Sequence, residues 1–312
     1  MVKAIISAWK TLTDTLRVMG RYYSYGLYPL LSFIIMLLAT FTVMVPLLGR
    51  ALELGHEDAP TLIFLLLVVY LMFGLLYFVT TFFNVALVKN IAGQLDAGDP
   101  SLSRGILEAF RKIRPIALYT LVSATLGLVS ILAKVLVGPL FGGVIVPLIG
   151  KRLWLRWRQL SYTIPLLMVV PVIALDQPEP ENIFKRGGLL VKETWGERVK
   201  PAHSIGLLAL LILLPIIILF AMPALHQGST EHNPDLIRLG LSVLLVSILT
   251  FTQVNALVNA IFALAAYRYG TGRKSDLFPG DSSYAEYAFV KPKKQIDEAS
   301  TPAASISDAS SN

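Results

Sequence analysis

The chain has 312 residues, 55% of them hydrophobic and 15% charged, with a mean hydropathy of +0.66 and a net charge of +7. This composition excludes an ordinary soluble domain. The absence of cysteine excludes disulfides, thiolate metal sites and cysteine nucleophiles.

Residues 1–22 read as a helix with Lys3, Ser7, Lys10, Asp14, Arg17 and Arg21 in one sector and Ile5, Trp9, Leu12, Leu16 and Met19 opposite. That pattern predicts an interfacial helix over 2–22, lying in the headgroup plane. Six apolar runs follow, at 30–48, 61–88, 116–133, 159–175, 204–225 and 239–267, and none contains Asp, Glu, Lys, Arg or His. Since ~20 apolar residues cross a bilayer as helix, they predict an all-α polytopic bundle of six spans, the fourth drawn over 153–175. No small-residue cleavage site follows the first run, so that span is expected to remain as an anchor. Two further amphipathic helices are expected before the third and fifth spans, giving the bundle amphipathic cytoplasmic interfacial helices. Over 100–113, Asp99-Pro100 caps a helix with Leu102, Ile106, Leu107, Phe110 and Ile113 opposite Arg104, Glu108, Arg111 and Lys112. Over 182–199, Phe184, Val191, Trp195 and Val199 oppose Lys185, Arg186, Lys192 and Glu193. Pro29, Pro115 and Pro201 are evenly spaced, which suggests three tandem units of interfacial helix plus transmembrane hairpin. The membrane domain is expected over 1–270 and a disordered cytoplasmic tail over 271–312.

Charge placement orients the spans. With the N-terminus inside, the cytoplasmic stretches hold 20 of the 27 Lys and Arg and the outer ones 7, as the positive-inside rule requires. Residues 134–158 are the misfit on the outer side. Gly138, Pro139, Gly142, Gly143 and Pro147 are expected to break any regular helix there, making 135–150 a re-entrant or interfacial segment.

Two groups of side chains are candidate sites. Asn84, Gln253, Asn255 and Asn259 are amides inside apolar runs, where they act as interhelical glue or line a polar path. Lys151, Arg152, Trp154, Arg156, Trp157 and Arg158 join four cations to two indoles at a membrane boundary, suited to anchoring or to a lipid phosphate. No phosphate loop, Ser/His/Asp arrangement or metalloprotease motif is present. No cofactor, metal site or catalytic residue is expected. The basic residues lie beside spans, so anionic membrane lipids and not nucleic acid are the expected partner.

Several stretches carry a resemblance. These are Tyr28-Pro29-Leu30-Leu31-Ser32, Phe82-Phe83-Asn84-Val85-Ala86-Leu87, Ala124-Thr125-Leu126-Gly127, Val170-Pro171-Val172 ahead of Asp176, Thr194-Trp195-Gly196-Glu197, and Ala265-Ala266-Tyr267-Arg268-Tyr269. In this order they resemble an uncharacterised bacterial family of six-span integral membrane proteins, itself similar to the membrane domain fused to some glycerophosphodiester phosphodiesterases. The resemblance implies six helices, the N-terminus inside and a bacterial cytoplasmic membrane, with no activity or catalytic residue to carry over. The expected function is a non-enzymatic protein that organises membrane or lipid. A transporter or permease subunit for a lipid or small molecule is the alternative.

Overall fold

Backbone in hydrocarbon has no water to bond to, so apolar runs of this length close their hydrogen bonds internally as helices. In the computed structural model, which describes residues 13, 15–20, 23–44, 46–47, 59–98, 101–141, 163–176, 179–196, 200–201, 213–231, 233–273 and 289–290, they do so. Helix α1 spans Tyr23–Ala39 and continues into a π-turn at Thr40–Met44. Helix α2 spans Ala59–Ala97, α3 Leu102–Arg111, α4 Ile113–Phe141 and α5 Thr163–Leu175. A 3-10 turn at Pro180–Asn182 leads into α6, Ile183–Trp195. A π-turn at Ile217–Ala221 precedes α7, Met222–Thr230, and α8 runs Pro234–Gly270.

Among the described residues, four helical stretches are long and apolar enough to cross a membrane: Tyr25–Val43, Leu66–Ala97, Leu213–Thr230 and Asp235–Gly270. The bent pair α3 and α4 makes a fifth if taken as one span, its halves meeting at 71°. The protein is a helical membrane protein. Helix α5 has 13 described residues, because 142–162 lie outside the described set.

Direction follows from which ends meet. The C-terminal ends of α2 and α8 are joined by Arg268 and Asp96. The end of α5 holds Lys112, just ahead of α4, and Tyr28 near the start of α1 bonds the Leu102 carbonyl of α3. Thus α2, α5 and α8 finish, and α1 and α4 begin, at one pole of the bundle. Helices α2, α5 and α8 pack pairwise against one another as a parallel inner triangle. Helix α1 lies on α2 and α8, α4 mainly on α2, and α7 on α8. The second helix of each proline-led unit therefore occupies the triangle. Its core is densest near the pole, where Val85, Leu87, Val172, Ile173, Ile261 and Leu264 are buried. Farther away, Leu67, Leu71, Leu239 and Leu241 face outward, as lipid-facing residues do.

Several expectations are corrected. Ser101, not Asp99, caps α3, its hydroxyl accepting from Arg104 N. Helix α4 passes through Gly138 and Pro139 to Phe141, so these residues do not end it; proline costs less inside a membrane helix because neighbours re-satisfy the freed backbone. The fit of α6 is different too. Ile183, Gly187, Leu190, Val191 and Trp195 are buried while Lys185, Arg186, Lys192 and Glu193 are exposed. The amphipathic split exists, but its apolar side is covered by α5 and α8, not by lipid. In the stretch expected to be a disordered tail, Phe289–Val290 pairs antiparallel with Lys200–Pro201. An aromatic and a β-branched residue suit a short ladder. Each π-turn lies just ahead of a proline, Pro46 or Pro223, whose missing N–H and ring disfavour a regular turn.

Gly105 sets the depth of α3. A Cβ there would lie 2.3 Å from the Tyr28 hydroxyl and 2.8 Å from the Ala86 carbonyl oxygen, whereas one on Gly127 would meet nothing within 4 Å. Gly105→Ala is expected to cost about 1–3 kcal/mol by overpacking, and Gly127→Ala to be neutral or mildly stabilising. Thermal unfolding of the purified protein in detergent measures both.

Candidate functional site

Among the described residues, the polar contacts that join several helices gather chiefly at the pole and around Gln253 at membrane depth. At the pole the last turn of α5 ends on carbonyls that no helical N–H can reach. Lys112, in the corner between α3 and α4, fills that need: its ammonium donates to the Ile173 and Ala174 carbonyls, each at 2.7 Å. Its pKa is pushed down to about 8, chiefly by burial, with Lys89 adding to the effect and Glu108 and Asp176 opposing it. At neutral pH it still carries its proton.

Asp176 follows directly on α5. The Tyr267 hydroxyl of α8 donates to its Oδ1, and Arg186 Nε of α6 donates to its Oδ2 at 3.1 Å. The hydrogen bond and charge of Asp176 raise the pKa of Arg186 further above its ordinary value. One residue on, the buried Arg268 reaches Asp96 of α2 at 2.8 Å, and Arg273 lies 3.9 Å from the same carboxylate. Adjacent residues of α8 are thus fastened to carboxylates from two other helices. Trp195 and Tyr269 pack nearby with their rings tilted at 33°, centroids 5.9 Å apart, and tie α6 to α8. Asn90 accepts from Ser101 N at 2.9 Å and so holds the start of α3 on α2.

At depth, Gln253 of α8 is buried and its amide N–H groups reach Ser32 Oγ of α1 (2.9 Å), Thr80 Oγ1 of α2 (3.3 Å) and Met36 Sδ. Thr80 also donates to Met36 Sδ at 3.3 Å. This knot joins three helices. Asn84, Asn255 and Asn259 are half-buried and are not among the partners of Gln253. At roughly 100° per residue, Asn255 and Asn259 lie on the far side of α8 from Gln253. The four amides do not converge on one point. Lys151, Arg152, Trp154, Arg156, Trp157 and Arg158 lie outside the described residues. Among the described residues no three His, Asp or Glu side chains group as a metal site would require.

A family model described as "Family of unknown function (DUF6159)" matches residues 63–277. The chain belongs to that family. No curated protein matches it, and no solved structure does. The match to DUF6159 takes in α2 through α8 and therefore all of Lys112, Asp176, Arg186, Tyr267, Arg268 and Gln253.

Sequence reasoning missed most of the pole. Lys112 read as one of several cations on an exposed helix face, and Asp176 and Tyr267 only as members of the resembling stretches. One signal was available: Gly105 and Ala109, four apart and buried on α3, form the small-residue stripe that lets helices approach closely in membranes.

Replacing Lys112 by Met would strand two buried carbonyls and is expected to cost about 2–3 kcal/mol. Arg186→Gln, at a half-exposed ion pair, should cost under about 1 kcal/mol. Thermal unfolding followed by intrinsic tryptophan fluorescence separates the two.

Proposed function

We propose that this DUF6159 protein is a non-enzymatic, multi-pass protein of a bacterial cytoplasmic membrane that organises anionic lipid at its cytoplasmic face and conducts nothing through its bundle. Six spans place both termini on the cytoplasmic side, with the pole at that side. The 20-to-7 distribution of basic residues supports this orientation. So does the pole, where the stretches around 89–115 and 176–202 and the end of α8 come together. The bacterial location rests on the resemblance of the stretches from Tyr28-Pro29 to Tyr267-Arg268-Tyr269.

One observation carries the choice against transport: Gln253, the buried amide at depth, spends its N–H groups on Ser32, Thr80 and Met36. A polar path would instead leave such donors facing water or substrate, and the other three amides do not join it. The knot reads as interhelical glue, worth about 0.6–2 kcal/mol per bond in a membrane.

The lack of native cysteine makes the test direct. In intact cells and in inverted membrane vesicles, single cysteines replacing Asn84, Gln253, Asn255 and Asn259 should stay unlabelled by a membrane-impermeant thiol reagent, while Ser103→Cys on exposed α3 labels readily in the inverted vesicles, which present the cytoplasmic face. Labelling at two or more of the four depth positions would establish an aqueous path and overturn the reading in favour of a transporter. Reporter fusions after residues 55, 100, 190, 230 and 290 should read out, in, in, out, in, and an outer reading at 190 would overturn the orientation.

A further inference from the structure

Helices α3 and α6 have similar sequence patterns and opposite surroundings. In α6 the apolar side is covered by the bundle. In α3 the buried contact is Gly105, Ala109 and the adjoining Lys112, with Leu102 and Ile106 partly buried against the core beside them, and a second apolar flank is left uncovered. Leu107 and Phe110 of α3 and Ile113, the first residue of α4, are 53%, 55% and 43% exposed. Phe110 leans edge-on against the buried Phe82 of α2, ring centroids 4.8 Å apart, so this flank is seated directly on a span.

Three guanidinium groups border that flank. Arg104, Arg111 and Arg114 are all exposed, and Glu108 is the acidic residue among them, held by Arg111 at 2.7 Å. An arginine offers five N–H donors, so this bond leaves Arg111 able to take a second anion. The 71° bend at Lys112 turns α3 across the axis of α4, which starts one residue later and enters the apolar run. The bend itself is fixed by Lys112 on the end of α5 and by the close approach of Gly105 to Tyr28. Helix α3 is therefore pinned at the mouth of a span, with apolar and cationic side chains next to each other on its exposed surface.

We propose that α3 is the lipid-engaging element of the protein: it lies in the cytoplasmic headgroup layer and binds anionic phospholipid. Acyl and glycerol carbons lie on Leu107, Phe110 and Ile113, and the headgroup phosphate meets Arg104, Arg111 and Arg114. Apolar burial beside cations is what holds an interfacial helix to an anionic leaflet, and guanidinium forks fit phosphate oxygens. The inference deepens the lipid-organising reading and rests on it, but assigns the contact to α3 and withholds it from α6.

Two measurements on the full chain in nanodiscs of phosphatidylglycerol and phosphatidylcholine test this. A nitroxide on Leu107→Cys should collide with oxygen in preference to a water-soluble nickel chelate, and one on Lys185→Cys of α6 should do the reverse. A preference for the chelate at Leu107 would put the flank in water and overturn the proposal. Native mass spectrometry should show phosphatidylglycerol bound in preference to phosphatidylcholine. Arg111→Gln with Arg114→Gln should lower its occupancy about fivefold or more, since each surface cation contributes about 1 kcal/mol. Both residues are exposed, so the variant is expected to fold. Equal phosphatidylglycerol occupancy in wild type and variant would overturn the proposal. Failure here leaves the depth-cysteine result standing, and labelling at depth would leave the α3 result standing, so the two readings fail separately.

Discussion

Three helices, α2, α5 and α8, run parallel and finish side by side, so carbonyls without helical partners and three negative dipole ends collect in one small region. Left alone, that concentration would repel itself and leave buried acceptors unpaired. Cations answer it. Lys112 sits on the carbonyls of α5, and Arg268 stands in the last turn of α8. Carboxylates then bind cations in turn, Asp96 on Arg268 and Asp176 on Arg186, and Asp176 also accepts from the neutral Tyr267 hydroxyl. Because Lys112 comes from the corner before α4 and Arg186 from α6, the same charges that settle the triangle also fix the two short helices laid over it.

This arrangement separates two uses of amphipathicity. Both α3 and α6 turn an apolar side inward and a charged side outward, and on a helical wheel they look alike. What differs is the size of the residues in contact. Gly105 and Ala109 bring α3 so close to Tyr28 and Ala86 that its contact strip is thin, and larger apolar residues on the shoulder remain uncovered. In α6, Ile183, Leu190, Val191 and Trp195 are themselves the contact. The interior at depth is spare in comparison, with one glutamine knotted to a serine, a threonine and a methionine.

The apolar helices were legible because a missing charge over many residues is a strong, local signal. What covers an amphipathic face is not local. Wheel positions place Val191 and Trp195 opposite Arg186 and Glu193, but cannot say whether protein or lipid meets them. Gln253 was visible as an amide in an apolar run, yet its partners stand on α1 and α2, far away in sequence. The grouping of Asn84, Gln253, Asn255 and Asn259 counted residue type and depth without the helical angle that turns Asn255 and Asn259 from Gln253. Prolines were read as breakers by their behaviour in water, which missed α4 running past Pro139 and the π-turns ahead of Pro46 and Pro223.

The order in which the chain is made bears on the knot around Gln253. Ser32 and Thr80 enter the membrane with the first two spans, but the amide that joins them belongs to the last helix. At about 5–20 residues per second, roughly ten to thirty seconds of translation separate Thr80 from Gln253. During that interval α1 and α2 stand beside each other with the site of α8 open, and Asp96 waits for Arg268. Insertion of the sixth apolar run is thus the event that closes the triangle, and a ribosome stalled before it would release a bundle whose innermost contacts had never formed.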